Sequence, residues 1–132
     1  MSQENMETVR RAIAAVNERD LDGYLSCCVD SVELHTPMNP VGGAYSGRED
    51  IKRFFADIEE AAPDFRIEVQ RLEATGSDQV LASTCVSSTG RASGIPMAVD
   101  TTNVYEFTNG KISRVRIFFD RSAALKAVGL AE

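Results

Sequence analysis

The chain contains one histidine, His35, in the stretch Glu33-Leu34-His35-Thr36-Pro37. Imidazole is the one side chain whose ordinary pKa, ~6.5, lies near neutrality. At the mouth of an apolar pocket it can remove a proton α to a carbonyl as a general base, worth about 10²–10⁴ in rate. Asn103 is the second candidate catalytic group. Its amide N–H can donate to a developing enolate oxygen, as a weaker, uncharged counterpart of a protonated acid. Each has a plainer competitor. Strand alternation sets Val32 and Leu34 on one face and Glu33 and His35 on the other, which fits a solvent-facing histidine equally well. Asn103 alternates with Thr101 and Tyr105, and a core amide satisfied by its neighbours explains it as well as a pocket group does.

Other chemistries are poorly supplied. The cysteines Cys27, Cys28 and Cys85 form no C-x-x-C spacing and read as small core fillers. One histidine and scattered carboxylates predict no metal centre. The glycines at 42 and 43 lack the Lys-Ser/Thr of a phosphate loop, so no cofactor is expected. Asp120, just before Arg121-Ser122-Ala123, reads as a helix cap rather than a proton carrier. A net charge of −6 argues against nucleic acid, which requires a basic patch to displace counterions. Arg114 and Arg116 are only two alternating charges on a strand. No apolar run approaches the ~18 residues of a membrane span, and Met1–Arg11 has no apolar leader segment. With an odd number of cysteines, the expected compartment is the cytosol.

The elements that must position these groups follow from periodicity. The length of 132 residues fits one domain. Met6, Val9, Ile13 and Val16 share one face of a helix from about Gln3 to Arg19. Asp20 can cap a second, short helix with Leu21, Tyr24, Leu25 and Cys28 inward. Val32 to Thr36 reads as a strand stopped by Pro37. Ser46 and Glu49 form an S-x-x-E capping box for a third helix, striped by Ile51, Phe54, Phe55 and Ile58 and ended by Pro63. From Asp64 the period becomes two, giving strands at Phe65–Val69, Gln79–Thr89, Met97–Thr108 and Lys111–Phe119. A Gly90–Pro96 loop joins the middle two, and Asn109-Gly110 is a strong hairpin signal. A last helical turn spans Arg121–Val128, with Gly129 past its end. Helices followed by an antiparallel meander predict an α+β fold whose twisted sheet curls into a cavity.

Five stretches then carry a family likeness: Asn17-x-x-Asp20-Leu21-x-x-Tyr24; Val29-Asp30-Ser31-Val32-Glu33; Tyr45-Ser46-Gly47-Arg48-Glu49-Asp50-Ile51; Gly90-Arg91-Ala92-Ser93-Gly94-Ile95-Pro96; and Val104-Tyr105-Glu106-Phe107 with Asn109-Gly110-Lys111-Ile112. Together they resemble the SnoaL-like proteins of the nuclear transport factor 2-like superfamily over nearly the whole chain. The resemblance implies a cone-shaped α+β barrel, and a homodimer through the outer sheet face. That fold hosts ketosteroid isomerases, polyketide cyclases, epoxide hydrolases and noncatalytic binders, so it specifies architecture better than activity. The isomerases' catalytic carboxylate is matched by His35 and their oxyanion-holding acid by Asn103. Their supporting tyrosines fall at Ala12, Cys28 and Ala56, and the epoxide hydrolases' strand aspartate at Ile117.

The expected function is a cofactor-independent isomerase or cyclase acting on a small apolar carbonyl compound. A noncatalytic ligand-binding or dimerisation domain and an epoxide hydrolase-like enzyme are the alternatives. The hydrolase needs Asp100 or Asp120 to point inward. Expected substrate contacts are Tyr24, Tyr45, Phe55 and Met97 from loops, helices and strand starts. Thr101, Tyr105, Ile117 and Phe119 complete the set from the last two strands.

Overall fold

A computed structural model describes residues 2–37, 44–76, 78–89 and 94–129. Helix α1 (Ser2–Glu18) and helix α2 (Leu21–Ser26) lead into β1 (Cys28–His35), β2 (Ala44–Ser46) and α3 (Gly47–Ala61). Strands β3 (Arg66–Ala74), β4 (Gln79–Thr89), β5 (Pro96–Thr108) and β6 (Lys111–Phe118) follow, and α4 (Arg121–Ala127) closes the described chain. The six strands form one curved, unclosed sheet in the order β2-β1-β6-β5-β4-β3. All neighbours are antiparallel except β1 and β6, which run parallel. This is the α+β arrangement that the patterning predicts.

The inner face carries the main core. Val9, Ile13 and Val16 of α1, Ile51, Phe55 and Ile58 of α3, and Val32, Val80, Tyr105 and Val115 of the sheet all belong to it. Alternation places Leu81 and Val104 on the opposite face, where they meet Ala124 and Leu125 of α4. The helices are therefore not all on one side: the short C-terminal one covers part of the outer face.

Local chemistry accounts for most boundaries. Asp20 caps α2 by accepting from Gly23 N at 2.9 Å, and Asp120 caps α4 by accepting from Ser122 N at 3.0 Å. Asn109 and Gly110 take φ of 52° and 79°, the left-handed values that the β5–β6 turn demands. The capping box at Ser46 does not form. The Ser46 side chain makes no cap bond, and Asp50 Oδ2 instead accepts from Ser46 N at 2.8 Å. Two extended segments exceed expectation. Strand β1 starts at Cys28 rather than Val32, so Cys28 leaves the second helix, and Tyr45 sits in strand β2 rather than a loop. The expected Gly90–Pro96 loop lies mostly outside the described residues.

Candidate functional site

Between α3 and the inner sheet face lies a cavity of about 300 Å³, within the range of small-molecule sites. Phe54, Asp57, Ile58 and Ala61 supply its helical wall. Their spacing of three, one and three puts all four on one flank of α3. Phe65, Ile67, Val86, Met97, Val99 and Ile117 make the apolar sheet wall. Among the polar groups of its lining, Thr36 and Ser88 stand singly and two sets stand together: Asp57 with Tyr45, and Asn103 with Thr101.

At the first set, the Tyr45 hydroxyl donates to Asp57 Oδ2 at 2.8 Å. Arg53 Nη1 lies 3.7 Å from the same oxygen, and its guanidinium stacks 4.4 Å above the Tyr45 ring. The half-exposed ion pair adds little stability but fixes orientation. Asp57 Oδ1 takes no hydrogen bond among the described residues. The carboxylate is thus held by one oxygen and open at the other.

At the second, Thr84, Thr101 and Asn103 are all buried. Thr84 Oγ1 lies 2.6 Å from Thr101 Oγ1, and Thr101 donates to Asn103 Oδ1 at 3.0 Å. The Asn103 amide also lies near the hydroxyl of Tyr105, where it opposes the rise of that phenol's pKa.

Burial, the largest cause, pushes the Tyr45 hydroxyl up to about 12, with donation to Asp57 adding to it and Arg53 opposing. Burial also pushes Tyr105 up to about 12, with the nearby Asn103 amide opposing it, and raises Tyr24 well above the usual phenol value. These are all three tyrosines of the chain. Unfolded phenols ionise near ~10, so the folded state keeps protons that the unfolded state loses. Their contribution to stability is full below pH ~10 and disappears as pH rises through about 12. On alkaline titration, tyrosinate absorbance should rise together with loss of the circular dichroism signal. A tyrosinate rise near pH ~10 with the fold intact would contradict these burials.

The sequence-derived site is only partly assembled. Asn103, Tyr45, Met97, Thr101 and Ile117 line the cavity. His35 does not. It lies beside Arg116 of β6, which in turn lies beside Val104 of β5, the residue packed under α4. Cross-strand neighbours share a face, so His35 is on the outer face and Asn103, paired with Ile117, on the inner. His35 borders an open outer groove, and its Nε2 meets Glu33 Oε1 at 2.9 Å. The expected His35–Asn103 pair is therefore not formed. Alternation had left both faces open to His35, and the β1–β6 register selects the outer one.

Tyr24, Phe55 and Tyr105 are closed into the core instead of lining the cavity, because their rings pack against other core side chains. Phe119, past the end of β6, is 53 % exposed. Of the tyrosine-equivalent positions, Ala12 and Cys28 are core and Ala56 is exposed. Asp100 is exposed opposite Cys85, and Asp120 caps α4, so neither supplies a carboxylate to the cavity. Sequence reasoning missed Asp57; its spacing with Phe54, Ile58 and Ala61 was the available signal.

Outer-face charges form their own cluster. Glu106 accepts from Arg114 Nη2 at 2.9 Å and Arg116 Nη2 at 2.6 Å, while Arg116 Nε is buried without a hydrogen-bond partner among the described residues. Among the described residues no group of three or more His, Cys, Asp or Glu side chains could hold a metal, and no helix is long and apolar enough to cross a membrane.

A curved sheet with helices over a largely apolar cavity defines a cone-shaped α+β fold. Residues 9–115 match the SnoaL-like domain; the chain belongs to that family, within the nuclear transport factor 2-like fold. Among similar solved structures is a nuclear transport factor 2-like protein of unknown function from Burkholderia pseudomallei K96243. It is 22% identical, with a TM-score of 0.79, over 93% of this chain and 95% of its own. TerC, co-crystallised with polyporic acid, is 23% identical over 96% of this chain and 98% of its own, with a TM-score of 0.79. A putative polyketide cyclase from Xanthomonas campestris pv. campestris is 17% identical over 96% and 98%, with a TM-score of 0.74. These three likenesses establish the fold alone. Comparison with curated proteins yields no match.

Proposed function

We propose that the protein binds a small, mostly apolar carbonyl compound in the inner cavity and moves a proton on it without a cofactor, as an isomerase or cyclase. The observation that carries this reading is Asp57, a carboxylate fixed through Oδ2 and open at Oδ1 in an otherwise apolar wall. Asp57 takes the role that sequence reasoning gave to His35. It accepts a proton α to the carbonyl, and the Asn103 amide donates to the oxygen that becomes an enolate. The electron pair freed from the C–H bond then has two uses. It returns to carbon with the same proton at a new position, which is isomerisation. Alternatively the enolate carbon attacks a second carbonyl within the ligand, and the resulting alkoxide takes the proton from Asp57, which closes a ring.

The likeness to a putative polyketide cyclase and to a protein crystallised with polyporic acid agrees with this reading. Homodimerisation through the outer sheet face belongs to the same proposal, and a solution mass of one chain would remove it. The activity is tested by deuterium incorporation at the α-carbon of cyclohexanone in D2O. Val99→Phe fills the cavity with a larger apolar side chain and should abolish the exchange. Exchange that survives the filled cavity would place the chemistry elsewhere.

A further inference from the structure

Two polar corners of the cavity, at Asp57 and at Asn103, differ in what they offer a ligand, and the difference is set by a residue that never reaches the cavity. Thr101 has one hydroxyl hydrogen, and it goes to Asn103 Oδ1. The 2.6 Å contact between Thr84 and Thr101 can therefore be a hydrogen bond only with Thr84 as donor. A chain of fixed direction results: Thr84 to Thr101, and Thr101 to the Asn103 oxygen. Its first member is completely buried and is not part of the cavity wall.

An asparagine amide can turn over and exchange its oxygen for its nitrogen, and only its neighbours decide which way it lies. Here the donating Thr101 holds the oxygen. The nitrogen has two hydrogens, and neither meets a protein acceptor in hydrogen-bonding geometry among the described residues. Asn103 therefore presents a donor, whereas Asp57 Oδ1 across the cavity presents an acceptor. No Lys, Arg or His lines the cavity among the described residues, so nothing there compensates a ligand carboxylate.

We infer that Thr84 is a positioning residue that fixes Asn103 as a donor, so that the cavity selects uncharged ligands with a carbonyl acceptor at one end and a hydroxyl or acidic C–H donor at the other. This rests on the proposed use of the cavity and adds the ligand's polarity and the residue that enforces it. Aligned hydrogen bonds polarise one another, so the donor strength felt by the ligand depends on Thr84 at one remove.

The probe is para-hydroxyacetophenone, with a ketone and a phenol at opposite ends of one ring, and the readout is the infrared stretch of its bound ketone. In the wild type the stretch should lie below its position in an apolar solvent, and Asn103→Leu should remove that shift. Thr84→Val keeps the volume but loses the donor. It should remove most of the shift and weaken binding about five-fold, the worth of one neutral hydrogen bond. Thr84→Ser restores a hydroxyl and should recover both, which a purely packing role for Thr84 would not do. para-Hydroxybenzoate should bind worse than the ketone to every variant.

The outcomes separate the two levels. A shift lost in Asn103→Leu but intact in folded Thr84→Val overturns the positioning role and leaves the use of the cavity standing. A wild-type shift indifferent to Asn103→Leu, or no binding of the ketone at all, overturns both. Equal or tighter binding of the carboxylate overturns the proposed ligand polarity.

Discussion

Asp57→Asn should slow deuterium incorporation into bound cyclohexanone by about 10²–10⁴-fold, the contribution of a positioned general base. The substitution suits the geometry. Asparagine keeps an oxygen that can accept from the Tyr45 hydroxyl, which now bonds Asp57 Oδ2 at 2.8 Å, so the wall of the cavity is preserved. What it lacks is a site for a proton at neutral pH. Binding of the ketone should change little, so the loss should appear in turnover rather than affinity. His35→Ala should leave exchange at the wild-type rate, because His35 lies on the outer sheet face beside Glu33. Should His35→Ala abolish exchange while Asp57→Asn does not, the base would be the histidine and the ligand would sit in the outer groove.

These assignments separate what local sequence decides from what only the folded chain decides. The helix stripes, the Asp20 and Asp120 caps, the Asn109-Gly110 turn and the meander follow from rules that act within a few residues, and the structure keeps them. Asn103 shares a face with Thr101 and Tyr105 by alternation, and the structure turns that face inward, which alternation alone leaves open. The same holds for His35. Its face depends on the register of β1 against β6, whose paired residues Glu33–Arg114 and His35–Arg116 lie more than eighty positions apart in the chain. Ser46 shows a smaller failure of the same kind. A capping box and an Asp50 bond to the same backbone N–H are both compatible with Ser46-Gly47-Arg48-Glu49-Asp50, and only the folded geometry decides between them. Asp57 shares the apolar flank of its helix by spacing alone, and its partner Tyr45 comes from a strand that sequence patterning reads as loop, so the pair forms only in the folded chain.

Asn17→Ala should be among the most damaging substitutions that touch no apolar packing, lowering stability by about 2–3 kcal/mol and Tm by roughly 10 °C. Strand β3 is a sheet edge, and its outer row of backbone groups has no strand partner. Asn17, in the last turn of α1, supplies one. Its Nδ2 donates to Ile67 O at 2.9 Å, and its Oδ1 accepts from Ile67 N at 2.7 Å, the exchange a paired strand residue would make. Ile67 is buried and forms part of the cavity wall, so its N–H and C=O cannot readily turn to water when the amide is gone. Asn17→Asp separates hydrogen bonding from packing. The carboxylate can still accept from Ile67 N, but its second oxygen then faces the Ile67 carbonyl with no proton between them. Protonation supplies that proton, so the folded state raises the pKa of the introduced carboxylate above its unfolded ~3.9. The stabilising contribution is present below that value and lost as pH rises through the folded one. Relative to wild type, Asn17→Asp should therefore be weak at neutral pH and recover on acidification, while Asn17→Ala stays equally weak throughout. Thermal melts between pH ~4 and ~7 would read this. A loss of less than about 2 °C for Asn17→Ala would mean that water replaces the amide and that the edge of β3 does not depend on α1 for its pairing.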